Sequence, residues 1–144
     1  MRVIDLLGGK SSVLIFVEPS SSLKNACEVM ARGGVGAVPV LSDGRIVGIL
    51  SERDVSRGFA ASKDGRLDVL VSDLMTISVI TCGPDVSVDA LMRTMTERRI
   101  RHVPVVSSSG LPIGIVTIGD VVKALLSERE AEAEAMRSYI SGLS

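Results

Sequence analysis

The feature that most constrains this chain is an internal repeat. Within the 144 residues, segments 19–42 and 84–107 align without a gap and share seven identical positions. After one inserted residue the match continues, because Asp54-Val55 then aligns with Asp120-Val121. Average residue usage gives about two chance identities over such a window. The sequence therefore predicts two copies of one small unit, which form a pseudo-two-fold pair with a cleft at its centre.

Each copy has the pattern of a β-α-β-β-α unit, so the predicted fold class is α/β (α+β). Ser22 and Ser87 are suited to cap helices whose apolar residues recur at i, i+3, i+4 and i+7. Gly33-Gly34 is expected to end the first of these helices, because glycine tolerates positive φ. The predicted strands are 13–17, 37–41 and 46–51 in the first copy and 78–81, 102–106 and 113–117 in the second. A second helix is expected at about 52–60 and from about 118 onward. The predicted organisation is a first repeat at 1–60, a linker at 61–68, a second repeat at 69–127 and a helical extension at 128–144.

Composition excludes several classes of protein. A net charge of −1 and only 2% aromatic residues provide neither the basic surface nor the stacking platform of a nucleic-acid binder. The two cysteines belong to no CxxC pair, and Cys27 falls at an apolar helical position, which favours reduced thiols and no metal site. The longest apolar run near the N-terminus is far too short to span a bilayer. We therefore expect a cytoplasmic protein without a membrane segment.

The motifs of the two copies resemble a pair of cystathionine-β-synthase (CBS) domains, also called a Bateman module. The similar segments are VGAVPVLSDGRIVGILSERDV from Val35, IRHVPVVSSSGLPIGIVTIGDV from Ile100, and DLMT at Asp73–Thr76. The resemblance covers about residues 1–127 and is to the stand-alone members. It implies a flat homodimer that binds AMP, ADP, ATP, S-adenosylmethionine or sometimes NAD between the repeats, and that regulates a partner protein.

A Ser/Thr-x-x-Asp motif occurs in both copies where a strand becomes a helix, at Ser51–Asp54 and Thr117–Asp120. The free N–H groups of a helix N-terminus suit a phosphate, and the hydroxyl can add one donor. The first copy offers only Ser51 and Arg53 beside Asp54. An ionised carboxylate can accept two hydrogen bonds from a ribose diol. The same spacing also makes a capping box, which requires no ligand. The repetition and the family resemblance favour ribose binding.

A basic cluster precedes one of the two Val-Pro-Val segments. It comprises Arg98, Arg99, Arg101 and His102, where the first copy has glycines and Ala37. The resemblance implies that Arg101 and His102 face phosphates; a solvated helix end is the alternative. We expect two unequal sites. The stronger one should be formed by residues that all belong to the second copy: Thr117, Asp120, Thr81, Arg101 and His102.

The Val-Pro-Val segments and one strand end are further candidates. Proline interrupts a strand ladder and leaves backbone groups available, although a plain edge strand has the same signature. The resemblance implies that the backbone of Ala37–Val38 and of His102–Val103 lies beside the adenine base. It also implies that Thr81 touches base or ribose.

No catalytic pattern is present, because the single histidine has no companion nucleophile motif. A binding module is therefore expected, with a structural adaptor whose clefts stay empty or a nucleotide-processing enzyme as alternatives. We expect a homodimer, because a pair of repeats would leave apolar helix faces exposed, such as those that carry Leu23/Met30 and Leu91/Met95, unless a partner covers some of them. The extension 128–144 is either a solvated helix or an arm that clasps a second subunit.

Overall fold

The fold is described from a computed structural model, which covers residues 1–8, 14–62, 64 and 69–142. The helices are α1 (Val3–Leu7), α2 (Leu23–Gly33), α3 (Glu52–Ala61), α4 (Val71–Leu74), α5 (Val88–Arg98) and α6 (Ile118–Gly142). The strands are β1 (Ala37–Ser42), β2 (Arg45–Ser51), β3 (His102–Val106) and β4 (Pro112–Thr117). The mixed α/β class and the repeated hairpin-and-helix order are thus confirmed, while most of the predicted linker lies outside the described residues.

The hydroxyls of two serines start equivalent helices, as the sequence predicts. The Ser22 side chain accepts the backbone N–H of Asn25, and the Ser87 side chain accepts that of Ala90. Gly34 ends α2 in the left-handed region at φ 63°, where glycine has no steric cost. The capping signals of the sequence therefore act at the predicted residues.

Residue 13 of the predicted strand 13–17 lies outside the described residues. Over the described residues, the strand expected before each of these helices is replaced by a single bridge. Val17 pairs in parallel with Val40, and Cys82 pairs in the same way with Val105, one residue beyond the predicted strand 78–81. Val17 donates to the Pro39 carbonyl and accepts from Leu41. To extend the ladder toward Ile15, residue 39 would have to donate an N–H, which proline lacks. Pro104 imposes the same limit in the second copy, so the prediction of two full strands was wrong.

Each N-terminal segment is fastened to the other repeat. Val3 donates to the Val86 carbonyl at 2.8 Å, and Val88 donates to the Met1 carbonyl at 3.0 Å. The equivalent bonds join Val71 to Ser21 at 2.8 Å and Leu23 to Val69 at 2.7 Å. Residues 1–7 thus pack on the second repeat, and residues 69–76 pack on the first. The repeat boundaries at 1–60 and 69–127 stay a prediction, because each N-terminal segment packs on the repeat to which it does not belong in the sequence.

The apolar residues form two cores, one in each repeat. Val71 joins the first core with Val17, Leu23 and Leu50. Val3 is fully buried in the second core. The other buried members of that core are Val88, Leu91, Met95, Val103, Val105, Val116 and Val121. Burial of branched aliphatic side chains is the main source of stability in such small units. Each core therefore includes one valine, Val3 or Val71, from the N-terminal segment of the other repeat.

The apolar helix faces that were expected to be exposed are buried within one chain. Leu23 and Met30 are 1% and 5% exposed, and Leu91 and Met95 are 1% and 2% exposed. They pack on the hairpin and the exchanged segment of their own core. These helix faces therefore need no second subunit to cover them, contrary to expectation, and homodimerisation stays a prediction.

The C-terminal extension continues α6 as one helix of 25 residues, and its side chains are exposed throughout 131–142. Over the described part of the chain, no helix combines the length and apolar character that a membrane crossing requires.

Because each N-terminal segment packs on the other repeat, a substitution in one segment should destabilise the repeat on which that segment packs. Val3→Ala should lower the free energy of unfolding by about 2 kcal/mol, through lost burial and a residual cavity. Hydrogen exchange should accelerate in β3–β4 more than in β1–β2. Val71→Ala is the matched control and should give the opposite pattern, whereas acceleration of β1–β2 by Val3→Ala would contradict the exchange.

Candidate functional site

Both Ser/Thr-x-x-Asp motifs form a reciprocal capping box. The carboxylate of Asp54 accepts the Ser51 backbone N–H at 3.0 Å, while the Ser51 hydroxyl accepts the Asp54 N–H at 3.2 Å. The same two bonds join Thr117 and Asp120, at 2.9 and 3.2 Å. The capping interpretation is therefore satisfied at both sites. Each box uses only the Oδ2 atom of its aspartate, so capping and ligand binding by Oδ1 are compatible.

The Oδ1 atom of Asp54 is held by two further groups. Arg57 donates to it at 2.7 Å, and the Thr76 hydroxyl lies at 3.4 Å. Asp54 is only 5% exposed, whereas the side chain of Arg57 is 70% exposed. A buried carboxylate is stable only when its lone pairs are satisfied. Arg57 and Thr76 thus occupy the acceptor positions that a bound diol would use.

Asp54 lies at the edge of a cavity of about 400 Å³, which we name the Asp54 cleft. Its walls are the α3 N-terminus at 51–54, the segment 78–80 and the segment 99–102. Four lining residues are arginines: Arg53, Arg57, Arg99 and Arg101. Glu52 and Asp54 are the acidic ones. The cleft therefore combines one buried carboxylate with an excess of guanidinium groups.

A second cavity of about 500 Å³, the Asp120 cleft, has equivalent walls. Thr117 and Asp120 replace Ser51 and Asp54, and segments 14–15 and 33–37 replace 78–80 and 99–102. Among the described lining residues, Asp120 is the only Asp, Glu, Lys or Arg, and His102 is the one residue of the basic cluster that lines this cleft as well as the other. The two clefts thus share a frame and differ in charge.

Each cleft combines residues of both repeats, which corrects the expected grouping. Arg101 lines the Asp54 cleft and is absent from the walls of the Asp120 cleft. The reason is the exchanged segment: α4 is docked on the first repeat, so the chain must pass Asp54 at 78–80 before it joins β3 at Cys82. Of the residues expected to share a site with Asp120, Thr117 and His102 line its cleft, whereas Arg101 and Thr81 do not.

The remaining candidates from the sequence differ in whether they line a cleft. Ala37 lines the Asp120 cleft, and Arg53 lines the Asp54 cleft. Val38 and Val103 are fully buried members of the cores. Thr81 is exposed and lines neither cleft. The proposed backbone contacts of Val38 and Val103 with a base therefore stay predictions.

Two residues around Asp54 were missed by the sequence analysis. Thr76 ends the DLMT motif, and its backbone also bonds Ile49 in both directions, at 2.9 and 3.0 Å. Arg57 lies one helical turn after Asp54, on the same face of α3. The i, i+3 spacing and the position of DLMT between the repeats were the available signals.

Neither cysteine lines the Asp54 cleft or the Asp120 cleft. Cys27 and Cys82 are both free and half-buried, and burial raises the pKa of the Cys82 thiol. No group of three or more potential metal-ligating His, Cys, Asp or Glu residues occurs among the residues the structure covers.

Comparison with known proteins agrees with the repeated architecture. The family model for the CBS domain matches residues 10–61 and 71–127. The chain belongs to the CBS domain family. It is 37% identical, over 82% of its own length, to the mitochondrial CBS domain-containing protein CBSX3 of Arabidopsis thaliana, but spans only 59% of that relative. A putative signal-transduction protein with CBS domains from Burkholderia ambifaria has a TM-score of 0.81 and 32% identity, covering 88% of this chain and 95% of that one.

Two similar CBS structures contain adenosine-based ligands. CBSX2, solved in complex with AMP, is 29% identical with a TM-score of 0.71, over 89% of this chain and 98% of that one. The CBS domain pair of MJ0100, solved with 5′-methylthioadenosine and S-adenosyl-L-methionine, is 25% identical with a TM-score of 0.78, over 89% and 98%. These CBS-domain relatives therefore bind ligands that share the adenosine group.

Proposed function

We propose that this CBS pair is a non-catalytic regulatory module that binds an adenine nucleotide in the Asp54 cleft. The observation that carries the proposal is the meeting of a buried carboxylate and several arginines in one cavity. A volume of about 400 Å³ falls within the range of small-molecule sites. The AMP complex of CBSX2 supports the ligand class.

The ribose has a defined partner in this proposal. Its two hydroxyls bond the Oδ1 atom of Asp54, displacing from that atom the exposed guanidinium of Arg57 and the more distant hydroxyl of Thr76. Oδ2 keeps its bond to the Ser51 N–H, so the α3 cap survives ligand binding. The base lies against the apolar side of the cleft, which Ile49 and Ile80 provide.

The phosphate has two sources of positive potential. Arg101 and Arg53 line the same cleft as Asp54, and guanidinium groups bind phosphate oxygens in bidentate geometry. The positive end of the α3 helix dipole adds to the potential. The binding energy is thus divided between a carboxylate that selects ribose and cations that select phosphate.

Regulation of a partner protein follows from binding without chemistry. A ligand that bridges 51–54 of one repeat and 99–102 of the other stabilises one relative position of the two repeats. A bound partner that senses this position receives the signal. AMP, ADP, ATP and NAD all carry the required ribose and phosphate.

Titration calorimetry on single variants tests the proposal. Asp54→Asn should weaken AMP binding about 10- to 100-fold, because the variant loses charge and one acceptor. Arg101→Ala should weaken AMP about tenfold and leave adenosine unchanged, since adenosine has no phosphate. The matched control is Arg93→Ala, an exposed arginine of α5 that lines neither cleft.

Two outcomes count against a non-catalytic nucleotide-binding module. If wild-type protein gives no heat with AMP, ADP, ATP or NAD at millimolar concentration, the structural adaptor with empty clefts is favoured instead. Release of phosphate from ATP during the titration would favour a nucleotide-processing enzyme.

The Asp120 cleft supports a second candidate ligand. It offers the same hydroxyl-and-carboxylate pair but no arginine or lysine among its described lining residues, and its walls include Ile15, Val35 and Ile113. We propose that it takes an adenosine derivative whose 5′ substituent carries no phosphate. The MJ0100 complex with 5′-methylthioadenosine and S-adenosyl-L-methionine supports this class.

The unequal clefts predict separable binding. Asp120→Asn should weaken 5′-methylthioadenosine about 10- to 100-fold and leave AMP unchanged. Arg101→Ala should leave 5′-methylthioadenosine unchanged. Competition calorimetry decides, because AMP that displaces 5′-methylthioadenosine stoichiometrically would show a shared cleft and refute the division.

A further inference from the structure

We propose that the C-terminal half of α6 is a dimerisation segment that pairs, in antiparallel orientation, with the same helix of a second copy of this chain. The first observation is the isolation of this half. All side chains from Ala131 to Gly142 are exposed, including Met136 at 59%, Tyr139 at 66% and Ile140 at 58%. A lone helix of this length is marginal in water, so a partner is needed to hold it.

The second observation is the spacing of the apolar side chains. Leu126, Ala133, Met136 and Ile140 are separated by seven, three and four residues, which places them on the a and d positions of a heptad pattern. Leu126 is 56% exposed and continues the same face toward the repeats. The pattern matches the seam of a two-stranded coiled coil, with Ser138 on the opposite face.

The third observation fixes the orientation. Arg129 occupies the remaining position of the seam. In a parallel pair this guanidinium would lie against Arg129 of the second copy, with like charges in contact. In an antiparallel pair centred between Ala133 and Met136, it lies beside Ile140 of the second copy instead.

Charge complementarity identifies the occupant as another copy of this chain. Glu130 and Arg137 flank the seam on one side. In the antiparallel pair, Glu130 of each copy meets Arg137 of the other, which gives two opposite-charge contacts related by symmetry. Neither residue forms an ion pair within its own chain among the described residues. The segment is therefore complementary to itself.

Sedimentation equilibrium of the full chain tests the pairing. Wild-type protein at micromolar concentration should give twice the mass of the 15.1 kDa chain. Ile140→Glu should weaken the dimer about tenfold or more, because it places a carboxylate in the apolar seam. Ser138→Glu adds the same charge to the opposite face and should leave the dimer unchanged. A monomeric wild type, or a dimer that resists Ile140→Glu, would overturn the proposal.

Charge reversal tests the orientation. Arg137→Glu should weaken the dimer, and adding Glu130→Arg should restore it, since the two residues meet across the antiparallel pair. In a parallel pair Arg137 meets Glu132, so rescue by Glu132→Arg in place of Glu130→Arg would refute the antiparallel arrangement.

Leu126→Cys should not cross-link to itself, because the two thiols would lie about 25 Å apart at the helical rise. Capture of a different protein by a monomeric chain would refute self-pairing.

Discussion

The backbone hydrogen bonds that fasten each N-terminal segment to the other repeat organise this molecule. Val3 is bonded to Val86 and Val71 to Ser21, and each valine fills the core on which it is docked. A small α/β unit of this size is marginal on its own, since it buries too little of its surface. The exchange completes both cores, and it also obliges the chain to cross from one repeat to the other beside each strand-to-helix junction.

The two clefts are a consequence of that crossing. Segment 78–80 passes the carboxylate of Asp54 after leaving α4, and segment 14–15 passes Asp120 in the equivalent way. The two clefts are built from equivalent segments, but the sequences of the repeats differ at the positions that set the charge of each cleft. Arginines occupy 99 and 101 where glycines occupy 34 and 36, so one cleft gained guanidinium groups and the other kept an uncharged wall. The same frame therefore has four arginines around one cleft and, among the described lining residues, no arginine or lysine around the other.

Much of the fold could be predicted from the sequence because the signals are local. Ser22, Ser87 and Gly34 act as caps at the predicted positions, and β3 has the predicted bounds. The Ser/Thr-x-x-Asp pairs were located as well, because the spacing of three residues fixes a capping box. The shortened strands at Val17 and Cys82 were missed, although Pro39 and Pro104 contain the reason in their missing N–H groups.

What could not be predicted was which residues meet. The grouping of Arg101 with Asp120 assumed that one repeat makes one site, and only the exchange of 69–76 shows that Arg101 lies with Asp54. The most direct test of this crossed site is a crystal structure of the chain with AMP. We predict the ribose on Asp54 and the phosphate beside Arg101 in one cleft. An AMP molecule with its ribose on Asp120 and no contact to residues 99–101 would contradict the account.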